Sequence, residues 1–132
     1  MADWDDVARL ALALPQAVES TSYGSAAWKV NDKGFVWERP LRRCDLSALG
    51  REAPDGPILA AYVDGLDEKE AILAANPGCC FTIPHFDGFP AVLILLDRIE
   101  VDLLQELITD AWLARAPKKL VGPYLADHRA TG

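Results

Sequence analysis

A chain of 132 residues, 51% apolar and 25% charged, has the size and make-up of one globular domain with a core of its own. Its formal net charge of −7 is the wrong sign for a protein that holds nucleic acid by bulk charge, because that affinity comes from neutralising phosphates. No apolar run approaches the ~20 residues of a membrane helix, and the opening Met-Ala-Asp-Trp-Asp-Asp is acidic where a signal peptide is basic, so the expected setting is the cytoplasm, away from membrane.

In chain order, Asp3 to Leu14 reads as the first helix. Asp3 is its N-cap, and Asp5 and Asp6 complement the positive end of the dipole. Val7, Leu10, Ala11 and Leu14 form one apolar stripe, and Pro15 ends the helix. Val18 to Tyr23 is a short edge strand. Ala26 to Val30 and Phe35 to Glu38 pair around Asn31-Asp32-Lys33-Gly34. Alternation puts Trp28 with Val30 on one face and Phe35 with Trp37 on one face, so a shared face makes the two tryptophans sheet core.

Glu38 to Gly56 is a polar connection holding Arg39, Arg42, Arg43 and Arg51, with room for a helical turn at Asp45 to Leu49. Ile58 to Val63 is a strand. Asp67 opens the next helix with Glu70 three residues on, a carboxylate version of the capping box, and Ala71, Ile72 and Ala75 form its apolar face. Asn76-Pro77-Gly78 stops it.

The stretch from Cys79 to Leu96 organises the chain. Asp87-Gly88 between Phe86 and Phe89 is a preferred pair for a two-residue hairpin, with pairing fading near Pro84 and Pro90. Ala91 to Leu96 is an unbroken apolar run, as in a strand covered on both faces. Val101 to Arg115 is then the longest helix, striped by Val101, Leu104, Ile108, Ala111 and Trp112. Lys118 to Ala126 forms a further short helix interrupted by Gly122-Pro123, and residues 127–132 form a flexible tail.

Sequential hairpins with three amphipathic helices predict a two-layer α+β domain over residues 1–126. Its antiparallel sheet has five or six strands packed against helices.

Signatures of catalysis are absent: no Gly-rich phosphate loop, no G-x-S-x-G, no H-E-x-x-H and no C-x-x-C. The expectation is a non-catalytic chain with no cofactor and no metal. A metal pair would need His128 of the tail to fold back to His85. His85 is the one acid–base candidate, and with no nucleophile or orienting partner near it the plainer reading is a hairpin-tip histidine. Cys44, Cys79 and Cys80 lack metal spacing and read as free thiols acting as small core hydrophobes, the adjacent pair pointing to opposite faces of a strand.

Basic residues fall into two groups, Arg39, Arg42 and Arg43 after the aromatic hairpin, and Arg115, Lys118 and Lys119 after the longest helix. Each is a solvated loop or helix end taken alone. Together, if they meet in space, they are an anion-binding or nucleic-acid-binding face.

Three segments, in order and spacing, resemble the MmcQ/YjbR family over Asp3 to about Leu120. They are Trp28-Lys29-Val30 with Lys33-Gly34-Phe35, then Phe81 to Val92, and Trp112 with Ala116-Pro117-Lys118-Lys119-Leu120. The resemblance implies a compact α+β fold with a double-wing arrangement of hairpins, and DNA as the ligand. It supplies no catalytic residues. Two readings follow. One is a DNA-binding module using Arg39, Arg42, Arg43, Lys118 and Lys119, with weak, salt-sensitive affinity given the net acidity. The other is a protein-partner or small-ligand module using Trp28, Trp37, His85 and Phe86. Whether the basic groups share a face, or the aromatics line a pocket, separates them.

Overall fold

In the computed structural model, residues 2–22, 24–54 and 56–131 are described, with the backbone alone for Ser22, Glu52 and 127–131. The elements are α1 (Trp4–Leu12), β1 (Val18–Ser22), β2 (Ser25–Val30), β3 (Lys33–Glu38), α2 (Arg43–Leu49), β4 (Ile58–Tyr62), α3 (Leu66–Ala75), β5 (Cys80–Phe81), β6 (Ala91–Leu95), α4 (Val101–Arg115) and α5 (Lys118–Thr131). Six strands make one antiparallel sheet in the order β1-β2-β3-β4-β6-β5, an α+β architecture. Tyr23, the expected end of β1, lies outside the described residues.

Local chemistry accounts for most boundaries. Asp3 caps α1 in a reciprocal box with Asp6, each carboxylate accepting the other residue's backbone N–H. The expected stripe of Val7, Leu10, Ala11 and Leu14 is buried. Asn31 and Asp32 both take positive φ, the backbone twist that a two-residue turn between right-twisted strands demands. That turn is tighter than the four residues expected, and β3 starts at Lys33.

Strand β6, expected at the centre of the sheet, is instead an interior strand second from its edge. It pairs with β4 along its whole length, Ile58 opposite Leu95 through Tyr62 opposite Ala91, and with β5 on its other edge. Alternate residues feed two separate cores. Val92 and Ile94 join Trp28, Val30, Leu59 and the helices α1 and α4, while Ala91 and Leu93 join Ile58, Ala60, Ile83 and Phe86. A strand covered on both faces is apolar throughout, as its sequence is.

Four further expectations need correction. Asp87-Gly88 does not close a two-residue hairpin. The chain from Thr82 to Pro90 makes a 3-10 turn at Pro84–Phe86 and then a type II turn, with Asp87 at φ −60°, Gly88 at φ +75° and the Phe89 N–H donating to the Phe86 carbonyl. Strand β5 stops after two residues, and Pro84, with no N–H to give a ladder, opens the 3-10 turn.

Phe35 and Trp37 do not share a face. Trp28 pairs with Val36 but Lys29 pairs with Gly34, so Phe35 is an extra residue in β3. The bulge keeps Phe35 in the helix-side core and turns Trp37 to the other side, with Trp28 left behind on the first.

Asp67 and Glu70 form no capping box. Gly65, at φ +97°, precedes α3, and its inward face is Lys69, Ile72 and Leu73 in place of Ala71 and Ala75. Finally, Cys79 precedes β5, so both Cys79 and Cys80 enter one core, Sγ to Sγ 3.9 Å, while Cys44 is exposed. All three are free thiols. Burial, then the neighbouring Cys79, pushes the Cys80 thiol up to about 12.

Helix α5 runs through Gly122 and Pro123 to Thr131, longer than the segment expected, with Tyr124 packed 5.0 Å from the Trp112 ring. No helix among the described residues is long and apolar enough to cross a membrane.

Candidate functional site

The face of β2 and β3 opposite Trp28 bears a pocket. Ser25, Ala27 and Lys29 of β2 lie on it, with Gly34 and Trp37 of β3. Together with Arg39 to Arg42 on one side and the 85–89 turn on the other they enclose a pocket of about 540 Å³. A volume of that order suits a small molecule.

The aromatic wall is a connected set. Phe89 meets Phe86 edge to face at 5.4 Å, Trp37 at 6.4 Å and Tyr62 at 6.4 Å, and it is 40% exposed. His85 stands 6.2 Å from Phe86 and is exposed.

Two buried cations hold this wall in place. Lys69 projects from α3 and its Nζ donates to the carbonyls of Phe86 at 2.6 Å and Phe89 at 2.9 Å. Those are the two ends of the type II turn, so a single ammonium fixes its shape from below. Burial lowers the Lys69 pKa and the nearby Asp87 carboxylate works against that.

Arg39 is 6% exposed. Its guanidinium sits 5.6 Å over the Phe86 ring, donates to the Pro40 carbonyl and pairs with Asp45 at 3.1 Å. Asp45 is 2% exposed and also accepts the Arg42 backbone N–H at 2.9 Å, which seats the start of α2. Desolvation alone would raise the Asp45 pKa, but the Arg42 N–H and the Arg39 charge outweigh it and hold the carboxyl below its usual value.

Arg115 arrives from the last turn of α4. Its Nε donates to the Gly34 carbonyl at 3.2 Å, and its guanidinium lies 4.3 Å over the Tyr62 ring. The hydrogen bond uses Nε, and Arg115 is among the residues that line the pocket.

The residues expected to act together are thus redistributed. Trp37, His85 and Phe86 meet in the pocket, and Arg39 and Arg42 meet them there. Trp28 does not. It is 2% exposed in the helix-side core, because the bulge separates its face from that of Trp37. Arg39 is a buried structural ion pair more than a free cation. Arg43 and Lys118 are exposed, and Lys119 lines a different groove among α1, α4 and α5. Of the two basic groups, then, only Arg115 joins Arg39 and Arg42.

Sequence reasoning missed Lys69, Asp45 and the place of Phe89. The signal for Lys69 was its spacing to Ile72 and Leu73, i+3 and i+4 on one helical face. For Asp45 it was its place three residues after the chain turns at Arg42.

A hollow of about 270 Å³ between α3 and α4 is lined by Asp64, Glu68 and Asp110. Burial, then Glu106 and Glu68, raises the Asp110 pKa. Among the described residues no three His, Cys, Asp or Glu side chains are grouped to hold a metal ion.

A family model named YjbR matches residues 12–114. The chain belongs to the YjbR family. It is 49% identical over 130 residues to uncharacterized protein Rv2570 of Mycobacterium tuberculosis and to uncharacterized protein Mb2600 of Mycobacterium bovis, covering 96% of this chain and 98% of each relative. A crystal structure of Deinococcus radiodurans protein DR2400, with a DUF419 domain, superposes with a TM-score of 0.64 at 21% identity, covering 86% of this chain and 78% of that one. At that identity the likeness is one of fold.

Proposed function

We propose that this YjbR domain is a non-catalytic binding module whose ligand is a small molecule held in the pocket on the face of β2 and β3 opposite Trp28. The observation that carries the reading is convergence. Trp37 from β3, Phe86 and Phe89 from the 82–90 connection and Arg115 from α4 are far apart in the chain, and they line one concave volume. The wall is braced from behind by Lys69 and Arg39, so it is formed before a ligand arrives.

DNA, the ligand implied by the family resemblance, has less support. A duplex needs several cations along one face. Here Lys119 lines another groove and Arg39 is already paired. The tip of the 82–90 connection carries Asp87 and no Lys or Arg.

The test is a small-fragment screen read by chemical-shift changes in the labelled protein, with a random DNA duplex titrated in parallel at low salt. The expected result is fragment-induced shifts at the Trp37 indole N–H and the Phe89 amide, with little movement from DNA. Shifts driven by DNA at Arg42, Arg43 and Lys118, with a log–log salt slope of up to about −5, would replace this reading with the nucleic-acid one. A screen that moves neither Trp37 nor Phe89 would reject the pocket as the site.

A further inference from the structure

We infer that the ligand of this pocket is a planar aromatic molecule bearing an anionic head group, with Arg115 as the fixed receptor for the anion and Arg42 as its mobile partner. The inference rests on the small-molecule reading of the pocket and adds the ligand's chemistry.

Charge on the lining is opposite in sense to that of the chain. The protein carries −7, yet the pocket presents Lys29, Arg39, Arg42 and Arg115 against Asp32 and Glu38. Arg39 is neutralised by the buried Asp45, which does not itself line the pocket. What is left is three cations against two carboxylates, an excess of one positive charge. That excess fits one anionic group and not a polyanion. A single positive excess in an acidic molecule is also a local attraction that the surrounding field does not supply.

The three cations differ in how they are held. The Arg115 guanidinium is fixed by stacking on Tyr62 at 4.3 Å and by its Nε bond to Gly34. A planar fork fixed in this way loses little freedom on gripping a carboxylate or phosphate. The Arg42 side chain is exposed and makes no hydrogen bond or ion pair of its own among the described residues. It is free to close over a bound anion. Lys29 stands on the floor strand, opposite Gly34, whose missing side chain opens the floor beside it.

The apolar part of the ligand follows from the other wall. Trp37, Phe86 and Phe89 present ring edges and faces within about one ring width of each other, and Phe89 is 40% exposed. A flat ring stacked there would cover Phe89, an exposed aromatic that the fold itself leaves unfilled.

Isothermal titration with 2-naphthoate and its neutral isostere 2-naphthamide tests this. The acid is expected to bind about tenfold more tightly, the gain of one charge-assisted hydrogen bond over a neutral one. Arg42→Ala removes an exposed, unbonded side chain, so the fold is unaffected. It should lower naphthoate affinity about fivefold and leave naphthamide unchanged, and Arg115→Gln should abolish the preference. Adenosine monophosphate run alongside separates the sources of the anion: tighter binding than naphthoate assigns a phosphate head group, weaker binding a carboxylate, and either keeps the planar anion. Equal affinity for acid and amide, or a preference that survives both substitutions, overturns the inference while leaving a small-molecule pocket. Failure of every probe to bind rejects the pocket reading with it.

Discussion

The two faces of one sheet are built by different physics in this protein. On the helix side, the apolar stripes of α1 and α4 share one core with Val92, Ile94, Leu59 and Trp28. On the other side, β6 presents Leu93 to a less regular cover: Ile83, Phe86 of the 3-10 turn, Leu41, and Leu49 at the end of the short helix α2. The first cover is chiefly apolar, with the Trp112 indole N–H donating to the Pro15 carbonyl and Arg115 to the Gly34 carbonyl. The second is fastened by ions, Lys69 to two carbonyls and Arg39 to Asp45. Where the fastened cover ends, over β2 and β3, the pocket begins. The loop segments carry exposed rings to the cleft, and the end of α4 adds the Arg115 cation.

The sharpest way to break that contrast is to remove one ionic fastener. Asp45→Ala leaves the Arg39 guanidinium buried and uncompensated and frees the Arg42 N–H at the start of α2. The expected loss is about 3–5 kcal/mol in a denaturant melt at pH 7. The wild type should show the same fastener through acid. Asp45 has a folded pKa below its unfolded value, so its contribution is complete above about pH 4 and is lost as pH falls through the folded value. Asp45→Ala should therefore lose less stability than the wild type on acidification from pH 5 to pH 2. Equal slopes for both proteins would mean that the pair does not fasten the loop.

On the helix side the matching cut is apolar. Ile94 of β6 is fully buried between β4 and β5, in the helix-side core. Ile94→Ala should cost about 2–5 kcal/mol, the range for a large-to-small change in a packed core, with no dependence on pH between 2 and 5. A loss below about 0.5 kcal/mol, the size of a surface change, would take β6 out of the core.

The smallest effect sharpens the contrast in packing without changing stability. Cys44 is exposed, while Cys79 and Cys80 are buried on the helix side and the Cys80 thiol is pushed up to about 12. Thiol titration at pH 8 should count one reactive group in the native protein and three after denaturation without reductant. Two fast-reacting thiols in the native state would show that the helix-side cover opens as readily as the loop side. A single thiol after denaturation would mean a disulfide that the 3.9 Å sulfur separation does not contain.

The sequence by itself determined the helix-side half. Val7, Leu10, Ala11 and Leu14, and Leu104, Ile108, Ala111 and Trp112, declare their faces by spacing, because one helical period settles which side meets the core. The run Ala91 to Leu96 declared a strand covered twice, since no alternation survives when both faces are dry. Family membership was legible too, from the order of three segments. Tertiary structure alone decided the rest. One extra residue in β3 flips Trp37 away from Trp28, and a bulge has no marker in a run such as Lys-Gly-Phe-Val-Trp. Lys69 points inward because two carbonyls wait there, and those carbonyls belong to residues 17 and 20 positions away. Arg115 reads as the end of a helix until Gly34 and Tyr62, from other strands, stand beside it. Periodicity is local and survives in sequence. A pocket is an agreement among distant segments, and only the folded chain brings them within contact distance.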